Sequence, residues 1–170
     1  MDYRVEKYNI FEMFSKQKAL ATAGNIDDYN CCTISWGSLG NIWGKGTNIV
    51  TIYINPDRYT WKYCMEKEYF TVCFFPGKYK EDLQILGTKS GKDGDKIALT
   101  KLHPVDLKTG VGYREAELTF VCKKLYQGEF SRDGLDEKIN NGIYKEWNPH
   151  YMFVGEIIDV IRGKKDEGNI

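Results

Sequence analysis

Long apolar segments are absent from this 170-residue chain. The longest strongly apolar stretches, residues 49–54 and 70–75, are far shorter than the roughly 20 residues that a membrane-spanning helix needs. The first seven residues mix acidic and basic side chains, whereas a secretory signal has a basic start and then an unbroken apolar run. We therefore expect a soluble protein without a membrane partner, located by default in the cytoplasm.

Residues that commonly bind metals or form disulfides are few and poorly spaced. The chain has two histidines and five cysteines, and no two cysteines stand in a CxxC pattern. An odd cysteine count with this spacing fits neither a disulfide framework nor a zinc cage. Two histidines are also too few for a histidine-rich metal centre, so we predict no metal site.

An excess of one charge sign is missing as well. The 24 basic side chains balance 24 acidic ones, and the pI is near 6.7. This balance argues against nucleic-acid binding driven by counterion release. The length fits one domain, and 42% apolar residues can form a core without disulfides.

Aromatic residues, in contrast, are abundant. The chain contains 12 tyrosines, 8 phenylalanines and 4 tryptophans. Such rings suit pleated, half-buried surfaces and can also form the wall of a site for a flat ligand. The composition therefore favours a sheet and permits a cofactor site.

Periodic patterns predict short helices, and alternating or β-branched patterns predict strands. Helices are expected at residues 10–14 after a cap at Asn9, at 58–67, at 79–86 before a stop at Gly87, and as a turn at 96–101. Strands are expected at residues 19–24, 31–36, 48–54, 69–75, 115–125 and 151–161. The glycines at 37, 40, 44 and 46 predict a loop, and residues 128–149 are polar and turn-rich.

Because strands outnumber helices and do not alternate with long helices, we predict a mainly β (α+β) fold, an antiparallel barrel with peripheral helices. Residues 1–18 would form an N-terminal helical arm and residues 19–161 the barrel domain. Residues 162–170 would form a polar tail that frays, because they have little apolar surface.

The segment 33–40 is a candidate site for a planar ligand. It ends a predicted strand in small residues with open backbone amides, next to the ring of Trp36. A strand with a glycine turn and a core tryptophan explains the same residues equally well. The adjoining Cys31 and Cys32 point to opposite faces of a strand, so at most one can face a ligand.

Two later segments are candidate anion sites. Residues 55–60 place Arg58 and Thr60 at a predicted helix start, where backbone amides are unpaired. Residues 88–96 combine hydroxyls, glycines and lysines, which suit phosphate, although neither a Walker motif nor GxGxxG occurs. An ordinary capped helix and a solvated polar loop are the structural alternatives.

His150 precedes the last predicted strand and could reach a pocket. No serine or cysteine is arranged in the sequence as its partner for nucleophilic catalysis. A structural or pocket-lining role is therefore favoured, and we predict no catalytic residue.

Taken together and in this order, the segments resemble the flavin reductase-like, flavoredoxin-type family. The resemblance covers about residues 19 to 160 and is carried by residues 33–40 with Trp43, Pro56 with 58–60, 70–75, 86–91 with Asp93, Asp95 and Lys96, 115–118, 122–126, 150–152 and 155–157.

The resemblance implies an FMN-binding split β-barrel, a Greek-key antiparallel barrel that forms a homodimer with flavin near the subunit interface. The residues that it places along the flavin are Thr33, Ile34, Ser35, Trp36, Asn55, Arg58, Tyr59, Thr60, Thr88, Lys89, Ser90, Gly91, Lys92 and Lys96. Cys32 and His150 are expected to line the same pocket. Asn55 and Lys92 stand where many relatives have arginine, which binds phosphate in a more directional way.

The function that the resemblance implies is an FMN-dependent oxidoreductase of the NAD(P)H:flavin reductase type. NADH, NADPH or a redox protein would be the electron donor or acceptor. Two alternatives stay open: a flavoredoxin-like, non-enzymatic electron carrier or flavin-binding module, and a split-barrel domain that binds another ligand.

Overall fold

The structure, a computed structural model, describes residues 2–44 and 46–163. Its strands are β1 (Ala19–Asn25), β2 (Asp28–Ile34), β3 (Gly37–Asn41), β4 (Asn48–Ile54), β5 (Tyr69–Phe74), β6 (Pro104–Asp106), β7 (Val111–Tyr113), β8 (Leu118–Glu129) and β9 (Tyr151–Arg162). Its α-helices are α1 (Ile10–Glu12), continued by a π-helical turn (Met13–Gln17), α2 (Tyr59–Glu66), α3 (Lys80–Thr88), α4 (Glu137–Asn141) and α5 (Ile143–Glu146). None of the helices in these two ranges has the length and apolar character that crossing a membrane requires.

Seven strands form one antiparallel sheet in the order β2-β1-β5-β8-β9-β4-β3. The predicted hairpin is confirmed, because β1 pairs with β2 from Ala19 opposite Ile34 to Asn25 opposite Asp28. Two irregularities in the pairing of β8 with β9 bend the longest ladder. β2 and β4 touch although they are far apart in the strand order, so the sheet curls until these two strands meet.

The core has two apolar clusters. The larger one is built around Phe70, Phe74, Phe120 and Phe153, all fully buried. The smaller one lies where α3 packs on the sheet and includes Leu20, Cys31, Cys73, Phe75, Leu83, Leu86, Leu102, Tyr113 and Ala116. Burial of α3 in this second cluster fixes the position of the polar residues that follow the helix.

Two predictions that rested on glycine are wrong. Residues from Gly37 to Asn41 form strand β3, not a loop, because they pair along the β-branched strand β4 and because the Phe14 ring packs where a Cβ of Gly37 would lie. Gly87 does not end α3, which continues to Thr88. A Cβ on Gly87 would lie 3.3 Å from the Cβ of Thr33, so this glycine allows α3 to approach β2 closely.

Other boundaries differ in smaller ways. Asn9 caps α1 as predicted, with its Oδ1 accepting from the Glu12 amide at 3.4 Å. The short strands β6 and β7 and the helices α4 and α5 were not predicted, because each is too short to show a clear period. The last strand extends to Arg162, and residues 164–170 of the predicted tail lie outside the described residues.

Candidate functional site

A cavity of about 370 Å³ opens between the ends of β2 and β4. The chain reaches it from three directions: the end of β2, the turn between β4 and α2, and the segment before β9. Its lining residues are Cys32, Thr33, Ile34, Ser35, Trp36, Ile54, Asn55, Asp57, Arg58, Trp147 and His150. We call this cavity the large pocket. Its volume lies within the range of small-molecule sites.

Aromatic rings form one wall of the large pocket. The ring centroids of Trp36 and His150 are 4.4 Å apart, and those of Trp147 and His150 are 6.2 Å apart. His150 is buried, whereas the side chain of Trp147 is 53% exposed at the rim. This wall suits a flat ligand that enters from solvent.

His150 is held by a buried tyrosine. The Oη of Tyr144 lies 3.1 Å from Nδ1 of His150. The two groups share one hydrogen bond, and which of them donates depends on the tautomer of the neutral ring. Burial lowers the pKa of His150 to about 4, so the ring is neutral near pH 7.

Asn55 organises the turn that forms the floor of the large pocket. Its Oδ1 accepts from the Asp57 amide at 2.9 Å, and its Nδ2 donates to the Asn148 carbonyl at 3.1 Å. The Nδ2 of Asn148 donates in turn to Oδ1 of Asp57 at 3.2 Å. Asn55 therefore ties the turn after β4 to the segment that carries Trp147 and His150.

A second cavity of about 60 Å³, the small pocket, adjoins the large one and shares Asp57 and Arg58 with it. The start of α2 and the segment after α3 form its walls. Its lining residues are Asp57, Arg58, Tyr59, Thr60, Thr88, Lys89, Ser90, Gly91 and Lys96. Three cationic side chains against one carboxylate make this pocket electropositive.

The end of α3 holds two of these cations. Nη1 of Arg58 donates to the Gly87 carbonyl at 2.6 Å, and Nζ of Lys96 donates to the carbonyls of Leu86 and Lys89 at 3.3 and 3.2 Å. Carbonyls at a helix C-terminus attract cations because the helix dipole is negative there. Burial lowers the pKa of Lys96, and the nearby positive charge of Arg58 lowers it further.

The hydroxyl groups of the small pocket differ in their availability. The Thr88 hydroxyl donates to its own helix, to the Gln84 carbonyl at 2.9 Å. The Oγ of Ser90 accepts from the Lys92 amide at 3.2 Å, and Oγ1 of Thr60 accepts from Asn30 at 3.1 Å. The Ser90 and Thr60 protons have no acceptor among the described residues, so both groups can donate to a ligand.

The structure brings nearly all the predicted site residues to these two pockets. Lys92 alone lines neither, and its Nζ lies 5.4 Å from the ring centroid of Tyr59. Sequence reasoning missed Ile54, Asp57 and Trp147. Asp57 lies within the segment 55–60, which was predicted as an anion site. Trp147 lies in the polar stretch 128–149, where only its closeness to His150 in the sequence could have indicated a role in the site.

Comparison with known proteins assigns the family. Residues 13–169 match the sequence model of the family described as flavin reductase like domain. The chain belongs to the flavin reductase-like family. No curated protein is significantly similar to this flavin reductase-like chain in sequence.

Solved structures share the fold of this flavin reductase-like chain. Flavoredoxin from Methanosarcina acetivorans is 22% identical with a TM-score of 0.68, over 98% of this chain and 77% of that one. The FMN-binding protein from Thermus thermophilus, solved with bound 1-cyclohex-2-enone, is 16% identical with a TM-score of 0.68, over 99% and 85% of the two chains. A candidate flavin reductase with a split barrel domain from Shewanella frigidimarina NCIMB 400 is 17% identical with a TM-score of 0.67, over 100% and 80%. The fold is therefore the predicted split barrel.

The donor set of the two pockets fits a phosphorylated, planar cofactor. Lys96 is only 5% exposed and forms no ion pair within the described residues, so an anion beside it would replace a missing countercharge. The large pocket offers aromatic walls and the small pocket offers cations and free hydroxyl protons. The Asp57 carboxylate opposes an anion, but it also accepts from Asn148 and is outnumbered by cations.

Proposed function

We propose that this chain binds FMN and acts as an oxidoreductase that passes electrons between flavin and NADH, NADPH or a redox protein. The observation that carries the proposal is the adjacency of the two pockets, an aromatic one and a phosphate-sized electropositive one that share Arg58. Family membership and structural neighbours named flavoredoxin and FMN-binding protein support it.

The two pockets divide the work of binding. Residues 33–36 with the aromatic wall would hold the ring system, and Arg58, Thr60, Lys89, Ser90 and Lys96 would hold the phosphate. Bound FMN would supply the redox chemistry. The chain's own contribution would be to orient the ring, exclude water from one face and offer the neutral His150 ring as a hydrogen-bonding group.

Mixing the purified, FMN-loaded protein anaerobically with NADH or NADPH tests the enzymatic part of the proposal. A reductase bleaches the visible flavin absorption band at a useful rate with one of the two donors. A chain that binds FMN but is bleached only by a reduced redox protein would instead be an electron carrier, which the neighbours named flavoredoxin favour. If the chain does not bind added FMN, it is a split-barrel domain that binds another ligand.

We also propose a homodimer, with the flavin near the subunit interface. Exposed aromatic residues that line the large pocket support it: Trp36 is 36% exposed and Trp147 53%. Sedimentation equilibrium should give about twice the 19.7 kDa chain mass. A monomer at all accessible concentrations would contradict this part of the proposal.

A cytoplasmic location completes the proposal. All five cysteines are buried and free, as is usual in a reducing compartment. Labelling of the fractionated cells with an antibody against this chain would test it, and recovery outside the cytoplasmic fraction would contradict it.

A further inference from the structure

A buried asparagine lies behind the small pocket. Asn30, on β2, is 6% exposed and does not line the pocket itself. Its Nδ2 donates to Oγ1 of Thr60 at 3.1 Å, and Thr60 is 1% exposed and does line the pocket. Asn30 therefore lies behind the small pocket and donates a hydrogen bond to a residue that lines it.

The Asn30 hydrogen bond determines what the Thr60 hydroxyl can offer. A threonine hydroxyl has one proton and can accept two hydrogen bonds. Because Asn30 occupies an acceptor position, and because no described residue accepts the Thr60 proton, that proton is left for a ligand oxygen in the pocket. Without Asn30, the hydroxyl would rotate freely and would need to be ordered when the ligand binds.

The other end of the Asn30 amide fixes the opposite wall of the pocket. Oδ1 of Asn30 occupies the space where a Cβ of Gly91 would lie, and the Cδ1 of Tyr59 is 3.2 Å from the same point. This contact requires glycine at position 91, because any larger residue would displace the Asn30 amide. One buried side chain thus contacts both walls of the small pocket.

We propose that Asn30 is a positioning residue that makes this site select phosphorylated flavin over riboflavin, and that it acts through the Thr60 hydroxyl. The inference rests on the proposed function, because it assumes that the anion in the small pocket is the flavin phosphate. A preordered hydroxyl proton contributes to phosphate binding and contributes nothing to the unphosphorylated ligand.

Fluorescence titrations with FMN and with riboflavin test the proposal, and the ratio of the two dissociation constants is the readout. Asn30→Leu removes the donor with little change in shape, and Thr60→Val removes the hydroxyl. Thr60→Val should reduce the preference for FMN roughly tenfold or more, and Asn30→Leu roughly five- to tenfold, with riboflavin affinity nearly unchanged. In the double variant, Asn30→Leu should add nothing to the effect of Thr60→Val.

The outcomes separate the proposals. If Asn30→Leu weakens the binding of FMN and of riboflavin by the same factor, Asn30 has a purely structural role. If the losses of FMN preference add in the double variant, Asn30 does not act through Thr60. Either result overturns the inference. Absence of FMN binding by the wild-type chain would overturn the proposed function itself. If thermal unfolding shows that Asn30→Leu is not folded, Asn30→Ala removes the same donor without filling the buried site and gives the same test.

Discussion

At the scale of single residues, the site is formed from polar groups that the fold itself keeps in place. Arg58 and Lys96 are anchored on the carbonyls at the end of α3, so their positions do not depend on a ligand. A preformed site lowers the entropic cost of binding, because fewer side chains need to be ordered. At the large pocket, Asn55 likewise holds the turn after β4 in place through its hydrogen bonds to Asp57 and Asn148.

His150 should make the stability of the protein depend on pH. Its folded-state pKa of about 4 lies below the ordinary value of 6.5, so the unfolded chain takes up the proton first as the pH falls. The free energy of unfolding should therefore fall as the pH is lowered through the window from 6.5 to 4. The contribution of this group is about 3 kcal/mol, at about 1.4 kcal/mol for each pH unit.

Urea unfolding at several pH values between 7 and 4 checks this prediction. His150→Asn keeps an acceptor for the Tyr144 hydroxyl but cannot be protonated in this range. We expect a shallower pH dependence in the variant. Parallel curves for variant and wild type would show that His150 is not held neutral by the fold.

At the scale of elements, a strand could be predicted where its own residues form an uninterrupted β-type pattern. Strand β4 was predicted with its observed bounds, because Ile, Val, Thr and Tyr side chains fit a pleated surface wherever it lies. Strand β3 was not predicted, because glycine has no local preference for a strand. Its residues are extended because they pair with β4 and because Gly37 packs against the Phe14 ring. Information of this kind comes from tertiary contacts and is not present in a local segment.

The same reasoning explains which parts of the site were found. Residues 33–36, 55–60 and 88–96 each carry their chemistry in one short stretch, so sequence reasoning found them before the fold brought them together. Trp147 and Asn30 are single residues whose roles depend on neighbours distant in the chain. No period or motif marks such residues.

Gly37 provides a direct test of how β3 is packed. Gly37→Val would push its side chain into the Phe14 ring, which itself packs edge-on against Phe74 at 5.3 Å. We expect the free energy of unfolding to fall by about 1–3 kcal/mol, which urea unfolding measures. Gly40→Val on the same strand is the matched control, since a Cβ there meets nothing within 4 Å, and it should change stability by no more than about 0.5 kcal/mol. Equal effects of the two substitutions would contradict the packing of Phe14 on β3.

At the scale of the whole molecule, the large pocket lies at the gap between β2 and β4, where pairing of the described strands does not close the curled sheet. β2 is at one edge of the strand order and β4 is next to the other edge, yet their ends meet at the large pocket. No backbone ladder joins these two strands among the described residues, so the backbone amides at the end of β2 stay available to a ligand. A closed barrel would have used them in hydrogen bonds between strands.

We expect the two pockets together to hold one FMN molecule for each chain. An equilibrium titration of the purified protein with FMN, followed by flavin fluorescence and by the visible spectrum and compared with riboflavin, tests it most directly. The expected result is saturation at one FMN per chain, with a preference for FMN over riboflavin of roughly tenfold or more from the phosphate contacts. A spectrum and fluorescence that remain those of free FMN, or equal affinity for the two flavins, would contradict it.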